Sequence, residues 1–155
     1  MPEGVEVRAA TADDLPALLA LYQHLIPGDA APAPQAGRAI LARFSAYAGS
    51  QIFLGEVAGQ AVATCTLVVV PNLTRGGRAY GLIENVVTHS AHRKRGFGQE
   101  LLRHAALAAW EAGCYKLMLL SGSDDPATLE FYRKAGFEQS KTGFQMRRIP
   151  ARDAG

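Results

Sequence analysis

The chain has 155 residues, 48% of them apolar and 19% charged, the balance of one globular domain (1–155) with a real core rather than a disordered or fibrous chain. Its 16 Lys and Arg nearly offset 14 Asp and Glu, leaving a formal charge of +2, too little to argue for a nucleic-acid partner. No charged-then-apolar leader opens the chain and no apolar run approaches the roughly 20 residues of a bilayer span, so a cytoplasmic protein with no membrane partner is expected.

Val5 to Ala9 alternates apolar with polar residues and predicts a first strand. Thr11-Ala-Asp-Asp14 reads as a helix-start signal, with Leu15, Leu18, Leu19 and Tyr22 following at helical spacing. Pro27, Gly28, Pro32 and Pro34 break that helix. A second helix is expected from Gln35 to about Tyr47, with Ile40, Leu41 and Phe44 inward. Ile52 to Ala58 and Ala61 to Val70 are β-rich runs around Gly59-Gln60, a hairpin pattern. Pro71 to Arg78, with Gly76-Gly77, is a longer loop.

Tyr80 to Thr88 predicts the next strand, and Gly98 to Glu111 a helix whose Leu101, Leu102, Ala105, Ala106 and Ala109 share one side, with Gly113 as its stop. Tyr115 to Leu120 is a short apolar strand. Asp125-Pro126 is a cap followed by a favoured first helical residue, and that last helix closes at Gly136. Phe144 to Ile149 completes the pattern as a strand. The order β-α-α-β-β-β-α-β-α-β predicts an α/β fold with a mixed central sheet. Cys65 and Cys114 stand far apart, outside any metal-ligand spacing, so free buried thiols and no metal site are expected.

The sharpest signal is Arg93-Lys94-Arg95-Gly96-Phe97-Gly98, set between a strand and an amphipathic helix. A helix start leaves about four backbone N–H groups unpaired and carries partial positive charge. The basic triplet adds whole charges, and the glycines clear space for an anion to reach the backbone. Together these suit a pyrophosphate. The P-loop pattern GxxxxGK[ST] is absent, and Leu101 stands where a dinucleotide fingerprint needs its third small residue.

The Arg93-x-x-Gly96-x-Gly98 turn after a strand, the later Phe131-to-Phe137 stretch FYRKAGF and the order of elements resemble the GNAT superfamily of N-acetyltransferases. That resemblance implies acetyl-coenzyme A as co-substrate. The backbone of Val86, Val87 and Thr88 would pair with its pantetheine arm, while the stretch Arg93, Lys94, Arg95, Gly96, Phe97, Gly98 and Gln99 would hold the pyrophosphate. It also implies Tyr132 as the acid that protonates the departing sulfur, a sensible role because a phenol's reference pKa lies above a thiol's. Relatives often carry an asparagine where Asp125 stands; the cap position before Pro126 explains Asp125 without a cofactor role.

Acetyl transfer to an amine needs a neutral nucleophile and a stabilised oxyanion. Glu84, on the strand beside the expected thioester, is the candidate general base, against the alternative of a carboxylate paired with an arginine. His89 and His92 read as loop histidines. Within the family, Ile83-Glu84, Gly113-Cys114-Tyr115-Lys116 and Met146-Arg147 resemble glucosamine-6-phosphate N-acetyltransferases. This makes Tyr115, Lys116 and Arg147 candidate contacts for a small-molecule amine substrate, with Asn85 standing where that group has an acidic residue. The acceptor stays open between a phosphorylated amino sugar, an amino acid, another small amine and a protein amine. A catalytically silent coenzyme A-binding module is the alternative function, and the apolar C-terminal strand offers an edge for a homodimer.

Overall fold

In the computed structural model, which describes residues 4–151, the chain opens on an edge strand, β1 (Glu6–Ala9). The ends of the expected domain, 1–3 and 152–155, lie outside the described residues. A single 3-10 turn at Ala12–Asp14 leads directly into α1 (Leu15–Leu25). The Asp14 carboxylate accepts the Thr11 backbone N–H at 2.7 Å and two Arg8 nitrogens at 2.8 Å. Arg8 also donates to Glu56 at 2.6 Å. The guanidinium holds the Asp14 carboxyl well below its usual range, at about 2, and so ties the start of α1 to the first two strands.

α2 (Pro34–Ser45) approaches α1 closely at Gly37, where an added Cβ would lie 2.8 Å from a Leu15 methyl. That contact turns the 37/41/44 face inward. Ile40, one position round the helix, is consequently 53% exposed rather than facing the core as its spacing suggested. β2 (Gln51–Val57) and β3 (Gln60–Val70) form the expected hairpin. Its turn residues are Ala58 and Gly59, with φ of 51° and 79°, the doubly left-handed geometry that matches the twist of a two-residue hairpin.

β4 (Tyr80–Thr88), α3 (Phe97–Glu111), β5 (Leu117–Leu119) and α4 (Pro126–Lys134) follow. The sheet runs β1-β2-β3-β4-β5, antiparallel through β4, with β5 parallel to β4 and α3 as the crossover. α3 lays Leu101, Leu102, Ala105 and Ala109 on one face of the sheet, against Val62, Cys65, Leu67 and Ile83. α1 covers the other with Leu18 and Leu21 on Leu54 and Val87. A leucine as buried as Leu101, truncated to alanine, would cost about 2–5 kcal/mol. Both cysteines are free and buried.

The expected strand at Phe144–Ile149 does not form: α4 is the last regular element among the described residues. Strand β5 presents only three paired residues and, among the described residues, is the last strand on that side of the sheet. Phe144, Met146 and Ile149 are 90%, 98% and 79% exposed. Among the described residues, no helix is long and apolar enough to cross a membrane, and no group of three or more His, Cys, Asp or Glu could hold a metal ion.

Candidate active site

Strand β4 is paired on both sides only over Gly81–Ile83, where β3 and β5 flank it. Beyond Ile83, β5 ends and β4 continues with β3 alone. Its pairing with β3 is irregular here: Thr66 faces Glu84 and Thr64 faces Val87, so β4 carries one extra residue. Asn85, at φ 51°, is the left-handed residue of this bulge. A bulge bends its strand and re-aims neighbouring side chains. The result is a strand whose last residues, Val86, Val87 and Thr88, have a free edge towards α4. The Val87 side chain is core, packed under α1, so only its backbone is available there.

Thr88 leads through a 3-10 turn at Ser90–His92 into the basic turn. Arg93 donates through Nε to the Thr88 carbonyl at 3.1 Å and through Nη2 to the His24 carbonyl at 3.3 Å. This guanidinium therefore staples the turn to β4 and to the end of α1. Lys94 and Gly96 have φ of 65° and 83°. Such left-handed residues in a tight turn help aim successive N–H groups to one side, the arrangement that binds anions. Gly96 is the cap of α3, and an added Cβ would meet nothing within 4 Å: the space in front of the helix is open.

Gly98 differs from the expectation. Its missing side chain is filled by Phe131, whose ring would be 2.9 Å from an added Cβ, so this glycine lets α4 dock on α3 rather than clearing room for an anion. Gln99 reinforces the same contact by donating to the Phe131 carbonyl at 2.7 Å. Phe97 is buried in the core. Lys94 and Arg95 remain exposed at the mouth of the turn.

Tyr132 sits one residue beyond Phe131. Its ring packs edge-on against Phe131 and Phe137, centroids 5.0 and 6.4 Å away, within the α3-side core that also contains Val86 and Cys65. Burial, with a smaller push from nearby Cys65, raises its phenol above the usual 10. A group so shifted keeps its proton through the neutral range. Asp125 caps α4 by accepting the Ala127 N–H at 3.0 Å, as its place before Pro126 suggests.

Glu84 is exposed and forms no ion pair among the described residues, so no arginine claims it. Its strand partner is Thr66, whose side chain lies beside the phenol of Tyr22 in α1. Tyr22 and Asn85, with Ile26, Asp29 and Pro32, line a recess of about 150 Å³ beside the bulge. The recess is not legible in the sequence: Tyr22 fits the core face of a helix, and a bulge at Asn85 leaves no periodic mark. His89 accepts the Ala91 N–H and stacks on His24 with centroids 4.0 Å apart, a local structural role.

Tyr115 and Lys116 lie at the opposite end of β4 from the turn. The Tyr115 N–H donates to the Ala79 carbonyl, and the Gly81 N–H to the Lys116 carbonyl. Arg147 hydrogen-bonds Gln145 at 3.2 Å in the exposed C-terminal segment, and no described contact joins it to Tyr115 or Lys116.

The family model described as "Acetyltransferase (GNAT) family" matches residues 15–137. A glucosamine 6-phosphate N-acetyltransferase of Trypanosoma brucei brucei is 34% identical over 86% of this chain and 88% of its own length. An Agrobacterium tumefaciens protein assigned as an acetyltransferase is 50% identical, with a TM-score of 0.87 over 92% of this chain and 99% of that one. A transcriptional regulator of Bacillus halodurans is 27% identical, with a TM-score of 0.82 over 93% and 99%. The chain belongs to the GNAT family of acetyltransferases.

Proposed function

We propose that this chain transfers the acetyl group of acetyl-coenzyme A directly to the primary amine of a small acceptor, a phosphorylated amino sugar being favoured. The observation that carries the reading is the open edge of β4 between Glu84 and Thr88, running from the bulge to the basic turn. The residues suit the co-substrate: Gly96 leaves the helix start clear, Lys94 and Arg95 supply charge, and Val86 to Thr88 present the strand edge that β5 leaves uncovered. When bound, acetyl-coenzyme A supplies an activated acetyl thioester. Tyr132 holds the proton that the leaving sulfur requires. Glu84 takes the proton of the amine, directly or through a water, and a backbone N–H of the open strand polarises the carbonyl.

Direct attack by the amine is favoured over an acyl-cysteine route. Cys65 is fully buried and its thiol is pushed up to about 12 by desolvation; Cys114 is buried and also shifted upward. Thiols so placed are poor nucleophiles. The acceptor preference rests on the curated trypanosomal relative and on Tyr115 and Lys116. A coenzyme A-binding regulator is the second reading, favoured only by the name of the Bacillus halodurans neighbour.

Release of free thiol from acetyl-coenzyme A across a panel of amines tests the reading. Turnover on glucosamine 6-phosphate is expected, whereas tight coenzyme A binding with no turnover on any amine or protein would favour the regulator. A homodimer is inferred as well, because Phe144, Met146 and Ile149 stand exposed while β5 has a free edge. Sedimentation showing a monomer at micromolar concentration would refute it.

A further inference from the structure

Strand alternation sets Tyr80, Leu82 and Glu84 of β4 on one face of the sheet. β5 extends that face, since Leu82 pairs with Met118 and the Lys116 ammonium lies 5.6 Å from the centre of the Tyr80 ring. A half-buried strip therefore leads from Glu84 to a cluster of aromatic and basic groups. In that cluster Lys116 Nζ is 5.3 Å from the centre of the Tyr115 ring, and the Arg75 guanidinium carbon is 5.6 Å from the same centre. The ring faces hold both cations without neutralising them. Among the described residues, neither Arg75 nor Lys116 has a carboxylate partner.

Arg75 is held there by a loop of fixed shape. Asn72 Nδ2 donates to the Thr74 carbonyl at 3.2 Å, to Thr74 Oγ1 at 2.9 Å and to the Arg78 carbonyl at 3.0 Å. Three consecutive left-handed residues follow: Arg75 at φ 54°, Gly76 at 71° and Gly77 at 84°. The two glycines adopt that region freely, but an arginine is disfavoured in it. A solvated surface cation needs no such backbone. A guanidinium that must keep its fork over Tyr115 does, and that fork is the group best matched to a phosphate.

We infer that Arg75, together with Lys116, is the specificity determinant that selects an acceptor bearing a phosphate at a set distance from its amine. The inference rests on the acetyltransferase reading, with the amine at Glu84. Four residue steps along the strand lead from Tyr80 to Glu84, about 13 Å of rise. A hydrogen bond at each end occupies about 3 Å, which leaves about 7 Å between the amine and the anionic group once both ends are satisfied. An amino sugar with its amine on carbon 2 and its phosphate on carbon 6 spans the ring in this way. An α-amino acid, with one carbon between amine and carboxylate, is too short to reach both ends.

Calorimetry on protein saturated with free coenzyme A, which cannot donate an acetyl group, compares glucosamine 6-phosphate with glucosamine. The variants are Arg75→Asn, chosen because asparagine tolerates the left-handed backbone, and Arg75→Lys. Wild-type protein should bind the phosphorylated sugar at least about tenfold more tightly than glucosamine, the scale of one charged hydrogen bond. Arg75→Asn should lose most of that preference, Arg75→Lys should regain part of it, and coenzyme A affinity should hold in both. An undiminished preference in Arg75→Asn, or none in the wild type, overturns the inference. Thiol release measured alongside separates the two claims. Arg75-dependent sugar binding without turnover defeats the transferase reading alone, whereas turnover on amines without phosphate preference defeats the clasp alone.

Discussion

The two halves of β4 have the same neighbour on one side and opposite circumstances on the other. Gly81–Ile83 lies between β3 and β5, and Gly81 has no side chain because Leu117 already fills the space, 2.8 Å from where a Cβ would stand. Glu84–Thr88 has β3 alone, a bulge at Asn85 and a basic turn at its end. A strand closed on both sides can contribute only stability, because its backbone groups are already satisfied. A strand open on one side must satisfy its remaining groups from water or from a ligand. The site is thus built where the sheet stops short, and the closed half fixes where it stops.

The largest expected effect comes from closing the open half. Gly96→Glu adds a negative charge and a side chain in the clear space at the start of α3, at a left-handed φ of 83° that only glycine adopts readily. Acetyl-coenzyme A affinity should fall by about two orders of magnitude or more, since an anion would then face both a carboxylate and a less accommodating backbone. Calorimetry finding wild-type affinity in the folded variant would remove the turn from the binding site.

A second test falls where the open strand meets the aromatic core. Tyr132→Phe keeps the packing against Phe131 and Phe137 and deletes only the hydroxyl. Turnover should fall by about a hundredfold, the range for losing one general acid, with acetyl-coenzyme A affinity nearly unchanged. Because burial raises the phenol above 10, the neutral acid persists until the pH passes that value. The alkaline loss of kcat assigned to it should therefore lie above pH 10 and be absent from Tyr132→Phe. An unchanged kcat in the variant would return Tyr132 to a purely structural role.

This contrast also explains what was legible in the sequence. The frame around β4 was readable because periodicity and caps are local: the hairpin around Gly59, the stop at Gly113 and the Asp125 cap depend on residues within a few positions of each other. The basic turn was readable for the same reason. The bulge at Asn85 was not, because an extra residue in β4 acquires meaning only against β3. What fills the place of the missing Gly98 side chain is Phe131, 33 positions later in the chain, and no local pattern reveals it. Phe144–Ile149 has the alternation of a strand, but alternation alone does not pair it with the free edge of β5, and it stays outside the sheet. The Arg75 clasp joins a loop, the start of β4 and the start of β5, three places that no spacing rule connects.

The smallest effect expected is on the closed half itself. Gly81→Ala would press a methyl against Leu117 Cδ1 at 2.8 Å and Leu67 Cδ1 at 3.3 Å. Both are ends of leucine side chains, which can shift more readily than backbone, so the overpacking should cost about 1 kcal/mol, the low end for an extra core methyl. In a chain of this size that corresponds to a fall in Tm of about 2–4 °C. Acetyl-coenzyme A affinity and kcat should remain within about twofold of wild type, since additivity holds for sites that share no partners. If kcat instead fell tenfold while Tm moved by the expected few degrees, the paired segment would be positioning the bulge directly. The division of β4 into a structural half and a chemical half would then be wrong, and the register set by Gly81 and Leu117 would belong to the active site.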